Sequence, residues 1–171
     1  MLTNLIRTCG QFLHVLDLRS NALQDKGLSH VASQLSQYDQ FHTNENHLVR
    51  LSIEANQLTT QGIKFLAKCL LHNRTLRSIN LSNNDVGNEG LFLLRDALLV
   101  NRMINELILR NCRLTDQAAI ALAEFIAEST TIHYIDLRLF ESRIRKCLTS
   151  YFNDLERIVF KQVVFVASLM Q

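Results

Sequence analysis

Four segments of the chain fit one frame, L-x-x-L-x-L-x-x-N-x-L, and a frame that recurs in register leaves few folds open. The first runs Leu13, Leu16, Leu18, Asn21, Leu23, and the second Leu48, Leu51, Ile53, Asn56, Leu58. The third is Leu76, Ile79, Leu81, Asn84, Val86, and the fourth Ile104, Leu107, Leu109, Cys112, Leu114. The second to fourth segments are 28 residues apart, and the first precedes the second by 35. Residues that alternate this way belong to a short strand with one face turned to a core. The Asn column lies where the strand turns. Its amide can bond backbone groups left open between stacked units. Cys112 is a workable substitute, being small and a weak donor.

A second set of columns marks a helix in each unit. Four residues after the Asn column stand Asp25, Thr60, Asn88 and Asp116, read as helix N-caps. Two residues later come Gly27, Gly62, Gly90 and Ala118, small enough for the helix to lie close to the strand. Val31/Leu35, Leu66/Leu70, Leu94/Leu98 and Leu122/Ile126 are i, i+4 pairs on one helix face. Gly10, Asn73, Asn101 and Ser129 precede the strands and read as stops, Gly and Asn as left-handed ones. Strand, cap, helix and stop together make a leucine-rich repeat of the ribonuclease-inhibitor-like subtype. The expected fold class is α/β, a leucine-rich repeat solenoid. It should form a right-handed horseshoe arc with a parallel inner sheet, outer helices and a non-repeat helical C-terminal tail. Strands are expected near 13–18, 48–53, 76–81, 104–109 and 132–137, and helices near 26–37, 61–72, 89–100 and 117–128.

Composition narrows the function classes. The 171 residues are 47% hydrophobic, enough for one continuous core. A net charge of +2 gives no nucleic-acid footprint. Cys9, Cys69, Cys112 and Cys147 are far apart and form no C-x-x-C pair, so buried thiols are favoured over a metal site or disulfides. That usage implies an intracellular, reducing compartment: the cytoplasm, with the nucleus as an alternative. The first residues do not make a signal peptide. Ile158 to Met170 is too short to span a bilayer. No nucleophile–base pair or metal set stands out, and Gly87-Asn88-Glu89-Gly90 does not fit G-x-G-x-x-G. The chain therefore reads as a non-enzyme without cofactors.

Two parts depart from the frame. Seven extra residues fall within Ser36 to His47, and their polar character places them in a loop. His42 and His47 lie there, without a Cys or carboxylate to complete a ligand set. After Leu137 the frame fails: Phe140 stands where Asn is due and Ile144 where the cap is due. Ile144, Leu148, Tyr151, Leu155 and Ile158 instead follow a helical period. The expected division is a repeat domain over 1–139, beginning mid-repeat, and a divergent tail over 140–171 that reads as a replaced ending and caps the edge of the fifth strand.

Several runs carry a narrower resemblance, and those at 87–90 and 123–129 are not generic repeat consensus. Leu16-Asp17-Leu18-Arg19 with Asn21, Asn56-Gln57-Leu58-Thr59, Gly87-Asn88-Glu89-Gly90 and Asn101-Arg102 are the first. Ala123-Glu124-Phe125-Ile126-Ala127-Glu128-Ser129 and Ile135-Asp136-Leu137-Arg138 complete them. In these the chain resembles the leucine-rich repeat region of protein phosphatase 1 regulatory subunit 37, over about residues 1 to 138. The resemblance implies an intracellular, non-enzymatic regulatory subunit that binds and inhibits the phosphatase catalytic subunit. In that family the docking segment lies before the repeats.

Phosphatase docking uses a basic, Val/Ile, any, Phe motif added as an extended strand. By pattern alone it occurs at Arg157, Ile158, Phe160 and at Lys161, Val163, Phe165, where an ordinary packed tail is the simpler reading. The candidate binding surface is the concave sheet face. One stripe is Asp17, Ser52, Asn80, Ile108 and Asp136; a second is Arg19, Glu54, Ser82, Arg110 and Arg138; a third is Val15, Arg50, Ser78, Glu106 and Tyr134. Its mixed charge fits a polar protein partner. The alternatives are a leucine-rich repeat activator of a small GTPase and an inactive truncated scaffold.

Overall fold

The computed structural model describes residues 13–41, 48–137 and 164–166, with side chains over 13–36 and 48–137. Three-residue strands β1 (Val15–Asp17), β2 (Arg50–Ser52), β3 (Ser78–Asn80), β4 (Glu106–Ile108), β5 (Tyr134–Asp136) and β6 (Val164–Val166) pair in chain order in one parallel sheet. Parallel neighbours need a crossover, and from β1 to β5 a helix provides it. These helices are α1 (Gln24–Phe41), α2 (Thr60–Leu70), α3 (Gly87–Val100) and α4 (Asp116–Glu128), each packed on the next. The solenoid expected from the frame is therefore present.

The apolar columns do what their spacing demands. Leu16, Leu51, Ile79, Leu107 and Ile135 stand side by side in the sheet register, all buried. Ile53, Leu81, Leu109 and Leu137 form a second buried row, and the helix pairs from Val31/Leu35 to Leu122/Ile126 close over both. Each such side chain contributes about 1.5–3 kcal/mol on burial. Asn56 and Asn84 of the Asn column are buried too, and they stitch neighbouring repeats. Asn56 Oδ1 accepts the N–H groups of Asn21 and Leu23, both at 3.1 Å. Asn84 Oδ1 accepts those of Asn56 and Leu58 at 2.9 and 3.1 Å. Its Nδ2 donates to the carbonyls of Ile53, Leu81 and Ser82 at 2.9–3.1 Å.

The cap column works differently from its reading. The residue before α2 is Thr59, whose Oγ1 accepts from Gln61 N–H, and the residue before α4 is Thr115. The residue before α3 is Val86, which makes no side-chain cap bond. Asp25, Thr60 and Asn88 reach to the following repeat instead. Asp25 accepts Thr59 N–H at 2.8 Å and its hydroxyl at 2.6 Å. Thr60 Oγ1 donates to the Val86 carbonyl at 3.1 Å, and Asn88 Oδ1 accepts Thr115 N–H at 2.9 Å. A short polar side chain at a helix start can bond its own first turn or the next repeat's, and here it bonds the next. Gly62 lies under this tie, where a Cβ would overlap the Asp25 carboxylate.

The stop column is also corrected. Asn101 (φ −76°, ψ 111°) and Ser129 (φ −72°, ψ 127°) are extended, and Asn73 is not left-handed. Their side chains accept N–H bonds two and three residues ahead and so turn the chain into the strand. Asn101 Nδ2 also donates to the Leu70 and Asn73 carbonyls of the previous repeat, at 2.6 and 2.8 Å. Gly10 lies outside the described residues. Left-handed residues cluster at the other end of the strand. Ser20, Ala55, Asn83 and Asn111 (φ 50° to 57°) each precede the Asn column.

Two further expectations change. Part of the polar insertion is helix, because α1 runs on to Phe41, and no Gly or Pro stands between Ser36 and Phe41 to break it. His42 and His47 lie outside the described residues. The sheet also does not stop at β5, as the loss of the frame after Leu137 implies. β6 pairs with β5, Phe165 opposite Ile135, so the backbone continues the column of inward Leu and Ile. An extended Val/Phe-rich segment suits a sheet edge, whose open N–H and C=O groups it pairs. The helical reading of Ile144 to Ile158 lies outside the described residues.

Candidate functional site on the concave sheet face

Residues that alternate with the inward column point away from the helices, and the register lines them up. Val15, Arg50, Ser78, Glu106 and Tyr134 form one row, and Asp17, Ser52, Asn80, Ile108 and Asp136 the next. Backbone bonds from Ser20, Ala55 and Asn83 to the Glu54, Ser82 and Arg110 carbonyls carry the ladder past the strand ends. Arg19, Glu54, Ser82 and Arg110 are thereby a third row. Arg138 lies outside the described residues, as do Arg157, Ile158, Phe160, Lys161 and Val163. Phe165 is in β6.

Within the rows, most charges are already engaged. Arg19 pairs with Asp17 at 2.7 Å, and this bond holds the Asp17 carboxyl below its ordinary range. Glu54 accepts from Asn80 Nδ2 and Asn83 Nδ2, both at 2.9 Å. Arg110 bonds the fully buried Asp136 through Nε at 2.8 Å and Nη2 at 2.5 Å. Tyr134 Oη donates to the same carboxylate oxygen at 3.4 Å. Burial first, then the Asp136 charge, pushes the Tyr134 hydroxyl pKa up. Among the described residues of these rows, Arg50 and Glu106 are the two charged side chains with no hydrogen bond or ion pair. They flank Ser78 on adjacent strands, one positive and one negative, about 10 Å apart. Ser78 and Ser82 are buried, and Ser52 Oγ is buried without a hydrogen-bond partner.

A rim groove of about 520 Å³ adjoins the third row, lined by Gln57, Thr59, Asn83, Asp85, Asn111 and Arg113. Arg113 pairs with Asp85 at 2.9 Å and Asn111 Nδ2 donates to Asn83 at 3.0 Å. Asn83, Asp85, Asn111 and Arg113 are not among the predicted binding residues. Their signal was the same 28-residue spacing, which relates Asn83 to Asn111 and Asp85 to Arg113. Cys112, beneath the rim, is a buried thiol pushed up to about 12, chiefly by burial, so it is not a nucleophile at neutral pH. Among the described residues no group of three or more His, Cys, Asp or Glu is placed to hold a metal ion, and no helix is long and apolar enough to cross a membrane.

Comparison with known proteins agrees with the repeat architecture. The Leucine Rich repeat family model matches residues 11–32, 72–94 and 100–123. No curated protein matches the chain. Among solved structures, leiomodin-1 actin-binding site 2 is similar with a TM-score of 0.73, at 19% identity over 91% of this chain and 89% of that one. The tropomodulin C-terminal domain of Caenorhabditis elegans is similar with a TM-score of 0.68, at 17% identity over 91% of this chain and 92% of that one. At these identities the likeness is one of fold. None of these comparisons supports the narrower resemblance to the phosphatase regulatory subunit. By its columns, its sheet and its matched segments, the chain has a leucine-rich repeat fold.

Proposed function

We propose that this chain is a non-enzymatic protein-binding module that meets its partner on the concave sheet face. The observation that carries the reading is the pair Arg50 and Glu106, which make no hydrogen bond or ion pair while the other charges of these rows are paired or hydrogen-bonded. Pre-positioned polar groups lose little freedom on binding, and unengaged charges select a complementary partner. The sequence resemblance makes a protein phosphatase 1 catalytic subunit the first partner to test. A second reading is actin, favoured because a domain named for actin binding shares the fold over nearly its whole length.

The test is direct binding to each purified partner, with phosphatase activity measured in parallel. Arg50→Glu and Glu106→Lys should each weaken binding roughly tenfold or more without shifting the melting curve. Failure to bind either protein removes both named partners. Binding untouched by both substitutions removes the concave face.

A further inference from the structure

The arginines of the described residues divide by place. Arg19, Arg95, Arg110 and Arg113 each pair with an Asp carboxylate, at 2.7, 2.9, 2.5 and 2.9 Å. Arg50, Arg77 and Arg102 pair with no carboxylate among the described residues. These three lie on one edge of the solenoid, where the helices end and the chain enters the strands. Two stretches of that edge, 68–77 and 97–105, hold Lys68, Arg74, Arg77 and Arg102 and no acid. Arg50, the first residue of β2, continues the stripe onto the sheet.

The helix dipole accounts for part of this pattern. Lys68, in the last turn of α2, meets its negative end. The dipole fades within a turn, so it does not explain Arg77 or Arg50. The backbone also fixes the stripe. Asn73 and Asn101, both fully buried, turn the chain just before Arg74 and Arg102, and Asn101 Nδ2 ties the two turns by donating to the Asn73 carbonyl at 2.8 Å. Arg77 Nη1 donates to the carbonyls of Arg74, Thr75 and Leu76 at 3.1, 3.2 and 3.4 Å. Those bonds hold the guanidinium in place, and neutral carbonyls leave its charge uncompensated.

We propose that this edge is an interaction surface for an acidic peptide segment, a run of Asp and Glu on a protein partner. Guanidinium groups bind carboxylates through two parallel bonds, and clustered arginines are a recurring reader of acidic motifs. The outline of the patch selects an extended chain over a lipid surface. Glu106 on β4 and Glu128 at the end of α4 bound it. The positive stretch therefore spans about two strand spacings at the sheet, roughly 10 Å. An extended peptide lies within that width, whereas a bilayer plane would set its anionic headgroups on both glutamates as well. The inference does not rest on the concave-face reading. Arg50 is the residue common to the two, so the test leaves it unchanged.

Fluorescence anisotropy of a labelled oligo-glutamate peptide titrated with the full chain tests this. The wild type should bind, more weakly as salt is added. Lys68→Glu combined with Arg102→Glu should weaken binding roughly tenfold or more; neither side chain makes a hydrogen bond that the exchange would break. Arg77→Lys keeps the charge and should cost less affinity than Arg77→Glu. Lys26→Glu reverses a charge at the start of α1, on the opposite edge, and should leave affinity within about twofold. A wild type that does not bind the peptide at low salt overturns the proposal. So does a loss in Lys26→Glu equal to that in Arg102→Glu alone, which makes the attraction one of net charge. Tighter binding to phosphatidylserine vesicles than to the peptide overturns the choice of occupant.

Discussion

Asn84 and Cys112 hold equivalent places one repeat apart, yet they secure their turns very differently. The Asn84 amide accepts two backbone N–H groups and donates to three carbonyls, all at 3.1 Å or less. The Cys112 thiol reaches the Leu81 and Arg110 carbonyls at 3.4 and 3.5 Å and receives the Asn84 N–H. The backbone adds Gly87 N–H to the Cys112 carbonyl at 3.1 Å, made with Gly87 at φ +64°. One spine can thus be tight in one turn and loose in the next while the sheet register stays unbroken. The apolar columns hold the fold, and the polar column grades its local stability.

The comparison can first be tested where it should vanish. Leu81→Ala and Leu109→Ala occupy matching buried sites on its two sides, and each should cost about 2–5 kcal/mol in chemical denaturation. A large gap between them would mean that packing, and not the polar column, separates the repeats. Asn84→Ala should cost about 1–3 kcal/mol, because it strands buried backbone groups. Cys112→Ala should cost about 1 kcal/mol or less, since weak bonds are lost. Equal denaturation midpoints for Asn84→Ala and the wild type would contradict the ladder.

Replacing the weak member should sharpen the contrast. Cys112→Asn rebuilds the amide bonds and should add about 0.5–1.5 kcal/mol, read as a raised unfolding midpoint. The gap should widen in alkali. Folded, the thiol titrates near 12 in place of its ordinary 9.0, so its contribution is complete below about pH 9 and is lost as pH rises toward 12. Thermal melts of wild type and Cys112→Asn across that range should diverge; parallel curves would remove the thiol from the account. The smallest effect concerns the turn before the column. Ala55 is left-handed where Asn83 and Asn111 stand in later repeats, and Asn tolerates that region better. Ala55→Asn should stabilise by about 0.5 kcal/mol.

Much of this was legible in the sequence because the repeat is a physical period. Leu51, Ile79 and Leu107 had to share a row once one of them faced inward, and so did the residues that alternate with them. What escaped was the choice of partner. Asp25, Thr60 and Asn88 carry side chains that fit an N-cap, and nothing in their identity says that they bond the next repeat. Asn101 looked like a left-handed stop because Asn suits that conformation, whereas its amide acts as a turn former. At the site, the stripes were legible but their burial was not. Ser82 and Asp136 point to the face and are covered, Asp136 by Arg110. β6 was hidden because its strand starts 30 residues after β5 and lacks the frame that marks the others.

The direction of the Asn ladder has a consequence for synthesis. Asn56 completes the turn that contains Asn21 and Leu23, and Asn84 completes the turn that contains Asn56 and Leu58. Each turn is therefore finished by a side chain from the repeat behind it. A chain emerging from the ribosome N-terminus first holds its newest turn open until about one more repeat has been translated. Maturation then proceeds as a trailing zipper, always one repeat late, and a pause in translation leaves one unfinished turn exposed to chaperones.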